Sequence, residues 1–151
     1  MSPPTGKRGL VLASKSATRR AVLDGAGVAY EAAGSGVDED AAKAELLAKG
    51  ASPRDVAGAL AERKALAVSA GRSGLVIGAD QTLEFEGRLY DKVETVAAAR
   101  DRLTAMRGRP HQLHSAVVVA KHGAAIWRET ESATLTMRDF SDQFLEDYLA
   151  A

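Results

Sequence analysis

Short apolar runs alternate with amphipathic stretches along the chain, and this alternation predicts a fold that contains both strands and helices. Apolar or alternating segments predict strands at residues 10–13, 28–32, 75–79, 82–85, 88–90, 113–121 and 124–137. Helical spacing of apolar residues predicts helices at residues 17–26, 38–49, 53–68, 95–106 and 142–149. The order of these elements indicates an α/β fold with a mixed, twisted sheet flanked by helices.

Local signals support several of these elements. Ser52-Pro53-Arg54-Asp55 combines a capping serine, a proline in the first helical turn and an acidic residue, which is typical of a helix start. Glu86-Gly87 separates two short alternating segments and predicts a tight turn between paired strands. In the helix at 95–106, we expect Ala98, Leu103 and Met106 to face the core.

Length and composition favour one folded domain. The chain has 151 residues, of which 46% are hydrophobic and 26% charged, and this balance is ordinary for a globular protein. We expect a flexible segment at residues 1–9 and a single domain at 10–151. No run approaches the ~20 apolar residues of a membrane span, and the first residues do not resemble a targeting signal. The expectation is therefore a cytoplasmic protein without a membrane partner.

Charge and cysteine content exclude some classes of function. The 20 Lys and Arg residues balance the 20 Asp and Glu residues, so the chain lacks the broad positive charge of a dedicated nucleic-acid-binding protein. Aromatic residues are only 5% of the chain, which leaves few candidates for a base-stacking surface. There are no cysteines, which excludes disulfides, zinc knuckles, iron–sulfur clusters and a thiol nucleophile.

A cluster of hydroxyl and basic side chains follows the first predicted strand. The segment Ser14-Lys15-Ser16-Ala17-Thr18-Arg19-Arg20 lies where that strand leads into a helix. Backbone N–H groups at a helix start are unpaired and attract anions, and arginine binds phosphate oxygens through two parallel hydrogen bonds. These residues could form a phosphate cradle. From the residues alone, an ordinary serine cap followed by two solvated basic residues is the more common interpretation.

Acidic residues provide a second set of candidates. Asp80 directly follows the predicted strand at 75–79, and ligands of open α/β sheets gather beyond the carboxyl ends of strands. An aspartate there can hold a divalent cation or accept a proton from water, although a turn-forming role is as common. Asp38-Glu39-Asp40 could supply metal ligands, or could compensate the dipole at a helix start. For Lys64 and Lys92, the ordinary interpretation is a solvated surface lysine.

Taken together, these segments resemble the Maf family of nucleoside triphosphate pyrophosphatases. The resemblance runs from about Leu10 to the end of the chain and rests on five segments in the family's order: LVLASKSATRRAVLDGAGV, VDED, LAERKALAV, VIGADQTLEFEGRLYDK and LTAMRGRPHQLHSAVVV. It implies a Maf/ITPase-like fold. It also implies hydrolysis between the α- and β-phosphates of a nucleoside triphosphate, which gives a monophosphate and pyrophosphate.

The resemblance also assigns roles to residues. Ser16, Arg19 and Arg20 match the family's Ser-x-x-Arg-Arg motif, with Ser14 in the preceding Ala-Ser. The following side chains are implied to bind the triphosphate: Ser14, Ser16, Arg19, Arg20, Lys64 and Lys92. Asp80 is implied to be the general base or a metal ligand. Glu39 is implied to share that metal, which would be Mg2+ or Mn2+.

The chain departs from the family pattern at several positions. Ala17 and Val93 replace motif prolines, and Thr18 stands where many members have another arginine. Gln81 after the aspartate resembles the branch that acts on 7-methyl-GTP more than the branch that acts on dTTP and UTP. Family members continue beyond residue 151, so the domain is expected to be C-terminally shortened.

Alternative functions follow from that shortening. A non-catalytic nucleotide-binding regulator, of the kind that restrains septum formation in cell division, would bind triphosphates without turnover. A phosphatase would release orthophosphate. The resemblance also implies a homodimer. It leaves open whether the biological role is the removal of modified nucleotides or the control of division.

Overall fold

A computed structural model describes residues 9–151, and within this range the chain forms six strands and five helices. The strands are β1 (Val11–Leu12), β2 (Glu31–Ala32), β3 (Leu75–Phe85), β4 (Arg88–Tyr90), β5 (Pro110–Lys121) and β6 (Ala124–Thr136). The helices are α1 (Ala17–Gly25), α2 (Glu39–Ala48), α3 (Pro53–Ser69), α4 (Val96–Met106) and α5 (Asp142–Ala150). The predicted flexible segment at 1–9 lies almost entirely outside the described residues.

The strands form one mixed sheet in the order β2-β1-β3-β5-β6, with β4 paired to β3. Strand β1 runs parallel to both β2 and β3. The pairs β3–β5, β5–β6 and β3–β4 are antiparallel. The predicted α/β class with a mixed sheet and flanking helices is confirmed.

Helix α3 packs across the middle of the sheet and forms the core with it. Its small residues Ala57, Ala61 and Ala65 are fully buried, at the spacing of four that places them on one face of a helix. That face meets Val76 of β3 and Val118 of β5 in a single apolar cluster. Burial of this face is the main source of stability for the contact, because helix stability in proteins comes mostly from packing of an apolar face.

Gly78 allows α3 to lie unusually close to β3. A Cβ atom at this position would lie 2.1 Å from the carbonyl oxygen of Ala61 and 2.7 Å from the backbone nitrogen of Ala65. Both neighbours are backbone atoms that a side-chain rotation cannot move away. The absence of a side chain at Gly78 therefore sets the separation between helix and strand two residues before Asp80.

Each helix begins at a side-chain cap. Ser16, Asp38, Ser52, Thr95 and Ser141 are the five capping residues, and each accepts a hydrogen bond from the backbone N–H three residues later. This bond satisfies one of the donors that a helix start leaves unpaired. Short polar residues before the apolar stretches thus explain where the helices start.

Three local predictions differ from the structure. The segments predicted at 75–79 and 82–85 form one continuous strand, because β5 pairs with β3 without interruption from Leu75 to Glu84. Strand β2 is shorter than predicted, since only Glu31 and Ala32 pair with β1. Ala98 is exposed rather than in the core, whereas Met106 is buried. Within residues 9–151, no helix is both long and apolar enough to cross a membrane.

Candidate functional site

The candidate site lies where the parallel strands end. Strand β1 ends at Leu12, which pairs with Ile77 of β3, so Asp80 lies beyond the end of its parallel neighbour. The chain after β1 leads through Ser14 and Ser16 into α1, and the chain after β2 leads into α2 at Glu39. Side chains from three parts of the sequence therefore meet at one edge of the sheet.

Lys64 lies at the centre of this edge, between two carboxylates. Its Nζ atom donates a hydrogen bond to Oδ1 of Asp80 at 2.9 Å and to the carbonyl oxygen of Ala79 at 3.3 Å. The same ammonium forms an ion pair with Glu39 at the start of α2. The side chains of Lys64 and Asp80 are only 5% and 6% exposed, whereas that of Glu39 is 45% exposed. A buried lysine thus joins α3, β3 and α2.

Asp80 keeps one oxygen without a partner. Its Oδ2 atom is buried and has no hydrogen-bond partner among the described residues. Burial raises the pKa of the Asp80 carboxyl, and the hydrogen bond and positive charge of Lys64 offset this only in part. A buried polar atom without a partner is costly and often marks a functional group. Oδ2 of Asp80 is therefore positioned to accept a proton or a cation.

Hydroxyl groups at the start of α1 orient a guanidinium group towards the same cleft. The Oγ atom of Ser14 accepts hydrogen bonds from the backbone N–H of Ser16 at 3.1 Å and from Nη1 of Arg19 at 3.2 Å. The Oγ atom of Ser16 accepts the backbone N–H of Arg19 at 3.4 Å. Ser14 is itself buried, so it holds Arg19 in place.

The cleft brings together most of the predicted site residues. A cavity of about 390 Å³ is lined by Ser16, Arg19, Glu39, Lys64, Asp80 and Lys92, among others. An adjoining cavity of about 280 Å³ shares Arg19, Glu39 and Lys64 with it and adds Ser14 and Lys15. Across the two cavities, six cationic side chains and three carboxylates line the cleft, which is an arrangement suited to an anionic ligand that carries a divalent cation.

Arg20 is the predicted residue that the structure does not bring to the cleft. Its side chain is exposed and lines neither of the two cavities. Its backbone carbonyl accepts a hydrogen bond from the hydroxyl of Tyr30 at 3.2 Å. Adjacent residues on a helix point in different directions, so Arg19 and Arg20 do not face the same side.

Sequence reasoning missed Lys43, Tyr90, Asp91 and Arg102, all of which line the cleft. Lys43 follows Glu39 by four residues on α2, and this spacing places both side chains on one helix face. That spacing was the one available signal. Tyr90 ends β4, Asp91 follows it and Arg102 lies on α4, and only the tertiary fold brings these three residues to the site.

The carboxylates can be tested as ligands of a divalent cation. Within residues 9–151, no cluster of three or more His, Cys, Asp or Glu side chains has a metal-binding arrangement. Mg2+, however, is commonly held by one or two carboxylates together with substrate phosphates and water. Asp80 offers a buried oxygen without a partner, and Glu39 is half exposed beside it. These residues fit a cation that arrives with phosphate.

Comparison with known proteins identifies relatives of this chain. A nucleoside triphosphate pyrophosphatase of Caulobacter vibrioides is 58% identical over 140 residues, which cover 93% of this chain and 70% of the relative. A 7-methyl-GTP pyrophosphatase of Rhizobium meliloti is 44% identical over 142 residues, which cover 93% of this chain and 71% of the relative.

The match to a solved structure of a HAM1 protein from Coxiella burnetii covers 93% of this chain and 96% of the HAM1 chain, with 12% sequence identity and a TM-score of 0.46. The profile of the Maf-like protein family matches residues 9–151. The match over nearly the whole chain, together with 58% identity to a named relative, shows that this protein belongs to the Maf family.

Proposed function

We propose that this protein hydrolyses the α–β phosphoanhydride of nucleoside triphosphates and releases a monophosphate and pyrophosphate. The observation that carries the proposal is the buried Lys64–Asp80 pair, which leaves Oδ2 of Asp80 without a partner in a cleft lined by cations. The names of the two pyrophosphatase relatives support the same reaction.

Binding of the triphosphate falls to the cations and hydroxyls around the cleft. Arg19, held by Ser14, offers a planar fork of donors, and Ser16 adds a hydroxyl and the start of α1. Lys92 approaches from the segment after β4. These groups neutralise phosphate charge and stabilise the negative charge that develops on the departing pyrophosphate. Arg20 is exposed outside the cleft, and in this proposal it contributes only long-range attraction.

Asp80 acts on the attacking water. Its buried carboxylate has a raised pKa, which makes it a better proton acceptor than a solvated aspartate. Lys64 fixes Oδ1, so Oδ2 is the oxygen free to take the proton. The water then attacks the α-phosphorus, and the pyrophosphate leaves in line with it. The chain thus supplies orientation, charge and a base rather than a covalent intermediate.

Glu39 would hold a divalent cation, and Asp80 would share it only as the alternative to acting as the base, because Oδ2 is its one free oxygen. When bound here, Mg2+ or Mn2+ would neutralise phosphate charge and would lower the pKa of a water molecule bound to it. Without the cation, Lys64 contacts both carboxylates and holds them close together.

The names of the relatives differ in the nucleobase of the substrate. One relative is named for nucleoside triphosphates in general and another for 7-methyl-GTP. Gln81 lines the cleft, and its Nε2 donates to the hydroxyl of Ser115 at 3.1 Å. We propose that a modified guanine triphosphate is accepted, with Gln81 at the base end of the cleft.

A substrate panel tests this function. Canonical triphosphates and 7-methyl-GTP are incubated with Mg2+ or Mn2+, and pyrophosphate and orthophosphate are measured separately. The proposal expects pyrophosphate in equimolar amount with monophosphate. Orthophosphate as the first product would instead establish a phosphatase, and saturable binding without either product would establish a regulator. Both outcomes would overturn the proposal.

A further inference from the structure

The segment that joins β4 to α4 carries Lys92 and is held at its first residue by two cations. Nζ of Lys43 on α2 donates to Oδ1 of Asp91 at 2.7 Å. The guanidinium of Arg102 on α4 donates to the backbone carbonyl of the same aspartate. We call Asp91 with Lys43 and Arg102 the Asp91 clamp. It connects the residue before Lys92 to two different helices.

Lys43 is well placed to stay charged in this clamp. Its side chain is 19% exposed, and although this burial disfavours the charge, the hydrogen bond from Lys43 to Asp91 and the carboxylates of Asp91, Asp80 and Glu39 raise its pKa. Of these carboxylates, Asp80 and Glu39 also contact Lys64. Lys43 therefore links the catalytic cluster to the segment that carries Lys92 through electrostatic attraction.

Arg102 fixes the backbone on the other side. In addition to its bond to the carbonyl of Asp91, its guanidinium lies 5.1 Å from the ring centre of Tyr90. That ring packs against Phe85 of β3, with 6.0 Å between the ring centres. Cation–π contacts of this kind add modest stability at partly exposed sites. The chain on the N-terminal side of Lys92 is thus fixed by side-chain and backbone contacts.

Lys92 depends on this support because its own side chain is free. Within the described part of the chain, its ammonium has no ion-pair or hydrogen-bond partner, and it lines the cleft. A lysine is a point charge on a flexible stem, so its useful position is set by its backbone. Small misplacements of a charge-stabilising group are costly to binding and rate.

We propose that Lys43 and Asp91 are positioning residues, which set Lys92 for contact with the triphosphate. The inference rests on the proposed function only in naming the ligand. Lys43 acts through Asp91 and Lys92 rather than by touching the phosphates itself. Loss of the clamp should weaken triphosphate binding and also slow the bound complex, because Lys92 stabilises charge on the departing pyrophosphate, while the Lys64–Asp80 cluster stays unchanged.

The experiment measures the Kd of an α,β-methylene nucleoside triphosphate, which cannot be cleaved at the bond in question. Lys43→Met and Asp91→Asn should each weaken binding about fivefold, as expected for a half-exposed ion pair. The double variant should be no weaker than either single variant. In a Lys92→Met background, Lys43→Met should have no further effect. Lys43→Arg should keep most of the binding. Lys49→Met, at the C-terminal cap of the same helix and paired with Glu45, should change nothing.

Two results would overturn the proposal. Additive losses from Lys43→Met and Lys92→Met would mean that Lys43 acts independently of Lys92. Amide hydrogen exchange at residues 91–95 of the nucleotide-free protein should become faster in Lys43→Met, and unchanged exchange would mean that no clamp exists. Failure of hydrolysis is a separate outcome. If the wild-type protein released no pyrophosphate but the exchange and binding results were as expected, the clamp would stand and the proposed activity would fall.

Discussion

Two groups of ion pairs in this molecule differ in almost every physical respect. In the cleft, Lys64 pairs with Asp80 at 2.9 Å, and the two side chains are 5% and 6% exposed. Between α4 and α5, Arg100 binds Glu146 through two hydrogen bonds of 2.8 and 2.9 Å, and the side chains are 42% and 52% exposed. Hydrogen-bond geometry is better in the exposed pair. The burial of charge is far greater in the cleft.

The pKa values of the two carboxyl groups, Asp80 and Glu146, are also shifted in opposite directions. Burial raises the pKa of Asp80 despite its contact with Lys64. Its hydrogen bond with Arg100 lowers the pKa of Glu146. A fold under pressure only for stability would place charges as Glu146 is placed, because buried ion pairs often cost as much as they return. The comparison supports the proposal that the Lys64–Asp80 pair serves the chemistry of the cleft rather than the stability of the fold.

Among the substitutions that distinguish the buried ion pair from the exposed one, Lys64→Met should have the largest effect on stability. The variant leaves buried Asp80 without its counter-charge, and breaking a buried pair in this way costs about 3–5 kcal/mol. Chemical denaturation measures the free energy of unfolding. Lys49→Met removes an exposed lysine that pairs with Glu45 and serves as the control. Equal effects of the two changes would mean that the cleft pair is not energetically special.

Gly78→Ala should disturb the scaffold of the cleft without altering any charge. The added Cβ meets backbone atoms of Ala61 and Ala65, so α3 must move away from β3 at a cost of about 1–3 kcal/mol. Gly58→Ala, on α3 itself, is the matched control. A Cβ atom at Gly58 would lie 3.6 Å from the side chain of Thr130, which is an ordinary contact distance. A Gly78→Ala variant as stable and active as Gly58→Ala would disprove the close approach.

Acidification should remove activity before it removes the fold. Asp80 must be ionised to accept a proton, and its raised pKa places the loss of activity at a higher pH than for a solvated aspartate. Protonation of Asp80 does not unfold the chain, because a raised pKa means that the folded state holds this proton more tightly than the unfolded state.

The Glu146 pair behaves in the opposite sense. Its depressed pKa makes its contribution to stability persist until the pH falls through that lower value. Pyrophosphate release and circular dichroism, followed together from neutral to acidic pH, measure the two transitions. Their coincidence would contradict the assignment of Asp80 as the titrating base.

Arg100→Met should have the smallest effect. Exposed ion pairs contribute little to stability, even with good geometry. We expect the free energy of unfolding to stay close to the wild-type value and pyrophosphate release to stay at the wild-type rate. High salt should reproduce the change in the wild-type protein, because it screens exposed charges. A loss comparable to that of Lys64→Met would remove the contrast between the two regions.

Much of this fold could be predicted from local patterns, because helix starts and turns are encoded locally. Ser52-Pro53 and Thr95 mark the starts of α3 and α4 as the structure has them. The division of β3 into two strands was wrong, because an Asp-Gln step looks like a turn until the pairing with β5 supplies the partner for every residue. Ala98 was misplaced because alanine suits either face of a helix.

Only the site residues that lie in recognisable family motifs could be predicted from the sequence. Family resemblance pointed to Asp80, Lys64 and Glu39, but nothing in the sequence indicates that one ammonium contacts both carboxylates. Residues 64 and 80 lie on a helix and a strand whose closeness depends on Gly78. The Asp91 clamp is similar, since Lys43 and Asp91 are 48 positions apart and meet only in the folded chain.

The most direct test of the central claim compares the wild-type protein with Asp80→Asn under the same triphosphate and metal concentrations. Asparagine keeps the shape and the acceptor for Lys64 but cannot take a proton. We predict that pyrophosphate release falls by at least ~100-fold, the low end of what general base catalysis contributes, while the Kd for the α,β-methylene triphosphate changes less than about fivefold. Asp139→Asn, outside both cleft cavities, is the control. Near-normal pyrophosphate release by Asp80→Asn would contradict the account.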